Sequence, residues 1–343
     1  MAFSFFNFLS TDIGMDLGTA NTLVYVKGKG ITVNEPSIIA LEESSGKIVA
    51  VGYEAKEMLG RTHKDIVTIR PLKDGVIADF EATELLISEL IRKAAVSKMM
   101  LGKVVVCVPS GITEVEKRAV RDSAERAGAR EVHLIAEAMA SAIGVGLDIE
   151  QPVGNMIVDI GGGTAEIAVI ALNGIVNHNS IRIGGDEMNE AIIQYFKKSY
   201  NLLIGEKTAE EIKCNIGSAM PMEEEIKAQV KGRDLVDGIP KTIEVSSAEI
   251  REALKENITA IVDAIRLSLE RTPPELASDI LDRGIILTGG GALLKAFDLR
   301  IIEETSLPAN VAEDPLTCVA RGCGLVLDDL HKYSKVLIKN RRA

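Results

Sequence analysis

Short apolar segments alternate with mixed polar and apolar stretches along the chain, and this pattern predicts strands that alternate with helices. Ile13–Val26 has the order of an apolar strand, an Asp, a glycine turn and a second apolar strand. Met156–Ile170 repeats that order about 140 residues later. The repeat predicts that the chain consists of two related halves, each containing such a hairpin.

The remaining periodicity fits the same α/β plan. Thr113 and Glu116 form a capping-box pattern at the start of one helix. Continuous apolar runs predict buried strands, at Val104–Pro109, Val132–Ile135 and Gly284–Thr288. Apolar positions three or four residues apart predict helices, at Thr83–Met100, Thr113–Gly128, Glu137–Gly144, Thr208–Ile216 and Ala248–Leu269. Strands that alternate with helices predict mostly parallel sheets covered by helices, in two interleaved lobes.

Charge and cysteine content narrow the class of protein. The 343 residues carry a net charge of −11 with a pI near 5.1, which disfavours non-specific binding to nucleic acid. The four cysteines form no Cys-x-x-Cys pair and no zinc-ligand spacing, and Cys107 lies in an apolar run that predicts burial. No apolar run reaches the ~20 residues that a transmembrane helix needs. We expect a cytoplasmic protein that binds no nucleic acid.

Three glycine-rich turns carry the candidate chemistry. Asp16 and Asp159 each end a strand immediately before such a turn, and a third turn, Gly289–Gly291, is predicted to open a helix. Glycines allow successive backbone N–H groups to face a phosphate, and Mg²⁺ can bridge phosphate oxygens to nearby carboxylates. Each motif alone could be only a tight turn, but together they predict an Mg²⁺–nucleotide complex between two lobes. Neither a P-loop motif nor a Gly-x-Gly-x-x-Gly motif opening a helix occurs, which disfavours those nucleotide-binding folds.

Two apolar segments predict contact with a membrane. The N-terminal segment would place one broad apolar face of a short helix in the lipid interface, through Phe3, Phe5, Phe6, Phe8 and Leu9. Folding back of this segment onto the core is the alternative. A second apolar loop, flanked by lysines and suited to an anionic bilayer, would comprise Met99, Met100 and Leu101. For this loop the alternative is a helix end that packs on the core.

The glycine turns resemble the nucleotide motifs of the actin, Hsp70 and sugar-kinase superfamily. Asp16-Leu-Gly-Thr-Ala-Asn-Thr resembles the first phosphate motif, Asp159-Ile-Gly-Gly-Gly-Thr the second, and Thr288-Gly-Gly-Gly-Ala-Leu the adenosine motif. Glu137-Ala-Met-Ala-Ser-Ala and Ala320-Arg-Gly-Cys-Gly-Leu resemble the two connecting helices. Within this superfamily the chain resembles, almost end to end, the MreB family of bacterial actin-like cell-shape proteins. The more specific stretches include Asn34-Glu-Pro-Ser, Val108-Pro-Ser-Gly-Ile-Thr and Gly184-Gly-Asp-Glu-Met.

This resemblance implies an actin-like (ribonuclease H-like) duplicated α/β fold, with two lobes around a nucleotide cleft. Each lobe would have a large and a small subdomain. Residues 1–10 would form an amphipathic membrane-binding segment. The implied subdomains are IA (residues 11–37, 70–150 and about 325–343), IB (38–69), IIA (151–185 and 255–324) and IIB (186–254).

The resemblance also assigns roles to individual residues, with ATP or ADP and Mg²⁺ as the implied ligands. Glu137 would orient the attacking water with Thr164 nearby, and Asp16 and Asp159 would hold Mg²⁺ through its waters. The implied nucleotide-binding residues are Gly18, Thr19, Ala20 and Asn21 in the first turn, Gly161, Gly162, Gly163 and Thr164 in the second, Glu210, Glu211, Ile212 and Lys213 at the ribose and adenine, and Gly289, Gly290, Gly291, Ala292 and Leu293 in the adenosine motif.

For some of these residues a structural role is the alternative. Glu137 could serve as a helix cap and nothing more, and Lys213 could be a solvated charge on a helix surface. Asn21 stands where actin has a lysine, so Mg²⁺ and backbone N–H groups would balance most of the phosphate charge. We therefore expect hydrolysis to be slow unless assembly brings Glu137 into register.

The implied function is that of an ATPase that polymerises into paired protofilaments on the cytoplasmic face of the inner membrane. Such filaments would organise cell-wall synthesis and maintain rod shape, with the elongation proteins MreC, MreD and RodZ as implied partners. A small-molecule kinase of the same fold is the alternative, although the sequence contains no acceptor-site motif. An Hsp70-like chaperone would require a substrate-binding region in addition to the ATPase lobes.

Overall fold

The computed structural model describes residues 10–94 and 100–339, and the chain forms two compact units. The first unit comprises the residues up to Val153, Ile170–Ile175 and the residues from Leu316 onward. The second comprises Gly154–Val169 and Val176–Pro315. Each unit contains a five-stranded sheet and several helices, which confirms the predicted α/β class.

The sheet of the first unit begins with the predicted strand–turn–strand. β1 (Ser10–Leu17) pairs antiparallel with β2 (Asn21–Val26), and β2 pairs antiparallel with β3 (Gly30–Pro36). On its other side β1 pairs parallel with β9 (Met100–Val108), which pairs parallel with β10 (Glu131–Ala136). The strand order is β10-β9-β1-β2-β3. The apolar run within β9 is buried, as expected for a strand inside a parallel array.

The sheet of the second unit repeats this arrangement. Its strands are β11 (Asn155–Ile160), β12 (Ala165–Ala171), β13 (Gly174–Ile181), β17 (Ile285–Thr288) and β18 (Ala309–Val311). Their order is β13-β12-β11-β17-β18, and β17 pairs parallel with both β11 and β18. Each strand of the first sheet thus has a counterpart at the same place in the second. The prediction of two related halves is confirmed.

α-Helices connect the strands, and their ends follow local sequence signals. In chain order they are α1 (Tyr53–Met58), α2 (Phe80–Ala94), α3 (Glu114–Arg126), α4 (Glu137–Val145), α5 (Gly185–Tyr200), α6 (Glu206–Ile216), α7 (Ser247–Glu270), α8 (Pro274–Arg283), α9 (Phe297–Thr305) and α10 (Cys318–Asp328). The predicted capping box of α3 is present, because Thr113 and Glu116 each accept a hydrogen bond from the other's backbone N–H.

Smaller sheets lie inside the segments predicted as subdomains IB and IIB. One consists of β4 (Ile39–Glu42), β5 (Ile48–Val51) and β6 (Ile66–Ile69), in the order β5-β4-β6. The other consists of β14 (Leu202–Leu203), β15 (Lys227–Asp234) and β16 (Pro240–Ser246). A short hairpin joins β7 (Leu72–Lys73) to β8 (Val76–Ile77). The borders of the four subdomains remain a prediction.

Residues 316–324, which the prediction assigns to subdomain IIA, lie in the first compact unit, where α10 packs against α4 and β1. One predicted helix end is wrong. The helix predicted for Thr83–Met100 is α2, and Met100 and Leu101 begin β9 instead. Leu101 pairs with Thr11 of β1, packs in the core of the first unit and is only 7% exposed. It therefore does not belong to an exposed apolar loop.

Candidate functional site

The first glycine turn joins β1 to β2, and Asp16 lies on β1 just before it. Asp16 is 9% exposed and lies beside Cys107, its register partner on β9. The Cys107 thiol donates a hydrogen bond to Asp16 Oδ1 at 3.3 Å. The predicted burial of Cys107 is therefore confirmed, and its thiol helps to orient the candidate magnesium-binding carboxylate.

Ser37 holds the backbone of the first turn in place. Its hydroxyl donates to the Gly18 carbonyl at 2.6 Å and shares a hydrogen bond with the Thr22 hydroxyl. Its N–H donates to the carbonyl of Ala20 at 2.9 Å. Because both carbonyls are bound by Ser37, the turn is fixed from one side. Sequence reasoning noticed the Asn34-Glu-Pro-Ser stretch but gave this serine no role.

Glu137 lies at the same end of the sheet as Asp16. It opens α4 directly after β10, and Ala136 at the N-cap makes no side-chain cap. A hydrogen bond to Cys323, burial, and the negative charges of Asp16 and Glu137 raise the pKa of the Cys107 thiol well above its ordinary value. Cys107 is the register partner of both Asp16 on β1 and Ile135 on β10, and Glu137 follows two residues after Ile135. The first unit therefore places the predicted water-orienting residue and one predicted magnesium-binding residue at the same end of one sheet.

The second glycine turn joins β11 to β12 and packs on the start of α5. Gly161 donates its N–H to the Thr164 carbonyl at 2.8 Å, which closes the turn. The N–H groups of Gly185 and Asp186 donate to the carbonyls of Gly161 and Gly162, at 3.0 and 2.8 Å. These bonds hold the turn's carbonyls toward α5. A side chain at Gly184 would lie 2.5 Å from the Gly162 carbonyl oxygen, so glycine is required there.

Asp159 occupies in the second unit the place that Asp16 has in the first. It is 3% exposed, and its Oδ2 accepts a hydrogen bond from the Thr288 hydroxyl at 2.8 Å. Thr288 is its register partner on the parallel strand β17. Each candidate magnesium-binding carboxylate is therefore oriented by a side chain from the next parallel strand, a thiol in one unit and a hydroxyl in the other.

The third glycine turn follows β17, and the helix predicted after it is a short 3₁₀ helix. Gly290–Leu293 forms a single 3₁₀ turn, and Gly289 has a φ of 77°, which favours glycine. A Cβ at Gly291 would lie 2.2 Å from Ile160 Cγ2. Close packing on the end of β11 therefore requires glycine at position 291. Leu293 is 54% exposed, whereas Ala292 is buried.

The segment Glu210–Lys213 lies on α6, and its four side chains differ in how far they are buried. Lys213 donates from Nζ to the Gly185 carbonyl at 2.9 Å, and burial lowers the pKa of its amine. It is therefore tied to the start of α5 beside the second turn, and the alternative of a solvated surface charge is wrong. Ile212 is buried in the core of the unit, while Glu211 is exposed and Glu210 half-buried.

The predicted membrane-binding residues are placed only in part. Phe3, Phe5, Phe6, Phe8, Leu9 and Met99 lie outside the described residues, as does the side chain of Met100. Among helices in the described ranges, none combines the length and apolar character needed to cross a lipid bilayer. The same ranges contain no group of three or more His, Cys, Asp or Glu that could ligate a metal ion.

Sequence comparison decides the family. The family model described as MreB/Mbl protein matches residues 10–335. The chain belongs to the MreB/Mbl family. The cell shape-determining protein MreB of Escherichia coli strain K12 is 54% identical over 330 residues, covering 94% of this chain and 95% of that protein. The cell shape-determining protein Mbl of Bacillus subtilis strain 168 is 51% identical over 325 residues, covering 94% and 98%.

Solved structures agree with this MreB/Mbl assignment. MreB5 of Spiroplasma citri bound to ADP has a TM-score of 0.89 at 40% identity, covering 95% of this chain and 97% of that one. The MamK double helical filament has a TM-score of 0.80 at 21% identity, covering 93% and 99%, and supports the fold alone. Together these likenesses confirm the predicted actin-like fold. The names of the relatives favour a cell-shape protein over a small-molecule kinase.

Proposed function

We propose that this MreB/Mbl-family protein is an actin-like ATPase that assembles into membrane-associated filaments and determines cell shape. The observation that carries the proposal is the duplicated strand–Asp–glycine turn, with Asp16 and Asp159 each buried and oriented from a neighbouring strand. Glycine turns of this kind suit phosphate. The Spiroplasma citri relative, crystallised with ADP and with AMPPNP, supports an adenine nucleotide as the ligand.

The residues fit a magnesium–nucleotide complex. Asp16 and Asp159 are carboxylates beside turns that would carry phosphate, and Mg²⁺ is commonly held by few carboxylates through its waters. When bound, the ion would neutralise phosphate charge. Backbone N–H groups from Gly18 to Asn21 and from Gly162 to Thr164 would bind the phosphates. The exposed Leu293 and the α6 segment from Glu210 to Lys213 would contact the nucleoside.

Glu137 and Thr164 would act on the attacking water. Phosphoryl transfer to water depends mainly on holding that water in line with the terminal phosphorus. The carboxylate of Glu137 can accept a hydrogen bond from the water, and the hydroxyl of Thr164 can contribute another. Turnover would be slow in the monomer and faster in the filament, where assembly brings Glu137 into register.

Self-assembly is proposed from the family rather than from one contact. The MamK relative forms a double helical filament, and head-to-tail contacts between identical subunits give open filaments. Residues 1–10 would bind the cytoplasmic face of the inner membrane, and many copies in a filament would strengthen this weak anchor. MreC, MreD and RodZ are the proposed cell-wall partners, and organisation of wall synthesis is the proposed role.

Co-pelleting with liposomes tests the proposal. Full-length protein and a variant that lacks Met1–Ser10 are incubated with ATP, Mg²⁺ and anionic liposomes, then sedimented and imaged by electron microscopy. We expect filaments on the liposomes with the full-length protein and filaments detached from them with the truncated one. Soluble monomers that hydrolyse ATP only when a metabolite is added would contradict the proposal and favour a kinase.

A further inference from the structure

A row of four polar side chains crosses the sheet of the second unit. Thr288 on β17 donates its hydroxyl to Oδ2 of Asp159 on β11, and Ser180 on β13 donates its hydroxyl to Oε1 of Glu166 on β12. The strand order β13-β12-β11-β17 places the two carboxylates on the two inner strands of this row. Each carboxylate therefore has a hydroxyl on its outer side and the other carboxylate on its inner side.

Asp159 and Glu166 face each other across the hairpin. The bond from the Gly161 N–H to the Thr164 carbonyl closes the turn, and counting back from that pair places Asp159 opposite Glu166. The residues that flank them pack in the core of the unit: Val158, Ile160, Ala165 and Ile167. Because side chains alternate along a strand, Asp159 and Glu166 share the opposite face. Residues directly opposite in a hairpin have Cβ atoms about 4.5–5.5 Å apart.

Glu166 is an unusual residue for such a position. It is 1% exposed, and its Oε2 has no hydrogen-bond partner within the part of the chain that the structure describes. Burying a carboxylate oxygen without a partner is costly, and a second carboxylate directly opposite adds repulsion. A cation held at Oε2, directly or through a water, would relieve both. Sequence reasoning missed Glu166 because it stands inside a strand of apolar residues.

We infer that Glu166 is a further positioning residue of the magnesium site, holding a water of the Mg²⁺ hydration shell together with Asp159. The inference rests on the proposed function, which assigns the second turn to Mg²⁺-bound phosphate. Glu166 is the second residue of β12 and stands two residues after Thr164 of the turn. The Ser180 hydroxyl fixes Oε1, which leaves Oε2 for the metal-bound water.

Magnesium titration of ADP binding tests this role without relying on hydrolysis. The Kd for ADP is measured by calorimetry over a range of Mg²⁺ concentrations for the wild type and for Glu166→Gln. Glu190→Gln on α5 is the control, since it removes the same charge from an exposed side chain. We expect the apparent Mg²⁺ affinity of Glu166→Gln to fall by about tenfold or more, as for other residues that orient metal-bound groups.

A second signature separates metal positioning from general damage. Without Mg²⁺, Glu166→Gln should bind ADP at least as tightly as the wild type, because a negative charge near phosphate has been removed. Ser180→Ala, which keeps the carboxylate but frees it to rotate, should weaken Mg²⁺ dependence to a smaller extent. Ser180→Ala also serves if Glu166→Gln does not fold, and an unchanged Mg²⁺ affinity in that variant then overturns the inference.

The experiment distinguishes failure of the role of Glu166 from failure of the proposed function. Equal Mg²⁺ affinity in folded Glu166→Gln and the wild type overturns the role of Glu166 and leaves the proposed function intact. A further measurement replaces potassium with choline at constant Mg²⁺ and follows the Kd for ADP. If this Kd depends on potassium in the wild type but not in Glu166→Gln, and the Mg²⁺ affinity is unchanged, then Glu166 binds a monovalent cation and the magnesium role is overturned. A wild type that binds no adenine nucleotide would instead refute the proposed function.

Discussion

Ser37 illustrates how one buried side chain fixes a functional turn. Its hydroxyl binds the Gly18 carbonyl and Thr22, and its N–H binds Ala20. We expect Ser37→Ala to lower the free energy of unfolding by about 1–3 kcal/mol, because buried polar partners lose their hydrogen bonds. It should also weaken ADP binding. Urea denaturation and calorimetry check both, with the exposed Ser45→Ala as the control, and equal stability of the two variants would contradict the assignment.

Tyr200 gives a prediction in alkaline solution. A hydrogen bond to Glu249, burial and the charge of that carboxylate raise the pKa of Tyr200 to about 12. Unfolded tyrosine ionises near pH 10, so only the folded state keeps this proton between pH 10 and 12. The stabilisation is complete below pH 10 and is lost as pH rises toward 12.

Comparison with Tyr200→Phe isolates this contribution. The stability advantage of the wild type over the variant should be constant below pH 10 and shrink between pH 10 and 12. Chemical denaturation across this range measures it, and Tyr53→Phe, on an exposed tyrosine, serves as the control. An advantage that stays constant up to pH 12 would show that the hydrogen bond does not hold the proton.

Among elements, α4 and α10 approach each other more closely than side chains permit. A Cβ at Gly322 would lie 1.8 Å from the Ala140 carbonyl oxygen, and one at Gly144 would lie 1.8 Å from that of Cys318. Alanine favours helices over glycine by about 1 kcal/mol, but forced separation of packed helices costs more. We expect Gly322→Ala to destabilise the protein by about 2 kcal/mol or more in urea. Gly111→Ala, where a Cβ meets open space, should be nearly neutral.

The sheets show a second feature at the scale of elements. Both units place an aspartate at the end of a strand whose parallel neighbour supplies the orienting side chain, Cys107 in one and Thr288 in the other. The duplicated strand order brings this about, because the neighbour is the equivalent strand in both sheets. Glu166 extends the arrangement in the second unit only, since the residue opposite Asp16 in the first is Leu23, which carries no charge.

For the molecule as a whole, the proposed mechanism couples hydrolysis to assembly. We expect Glu137→Ala to retain ADP binding and to lower phosphate release by about 100-fold or more, because a group that orients or deprotonates the water is lost. Glu125→Ala on α3 is a matched control on an exposed carboxylate. Phosphate release is measured below and above the assembly threshold. Equal turnover of the wild type in monomer and filament would contradict the coupling.

Much of the fold was predictable from sequence because its signals are local. The strand–Asp–turn hairpins, the α3 capping box and the burial of Cys107 all depend on residues within one segment. The sequence also carried the family, since the motifs extend almost end to end. Local patterns did not specify that the helix after the third turn is a short 3₁₀ helix, nor that Gly291 packs on Ile160, more than a hundred residues away in the chain.

The sequence by itself determined where the phosphate turns and their aspartates lie, because short-range periodicity and glycine placement encode a strand–turn–strand. Only the tertiary structure decided what orients those aspartates. Cys107 is 91 residues from Asp16, and Thr288 is 129 residues from Asp159, so strand pairing alone brings each pair together. The same kind of pairing, with Thr11 of β1, buries Leu101. Such contacts depend on sheet order, which local patterns do not specify.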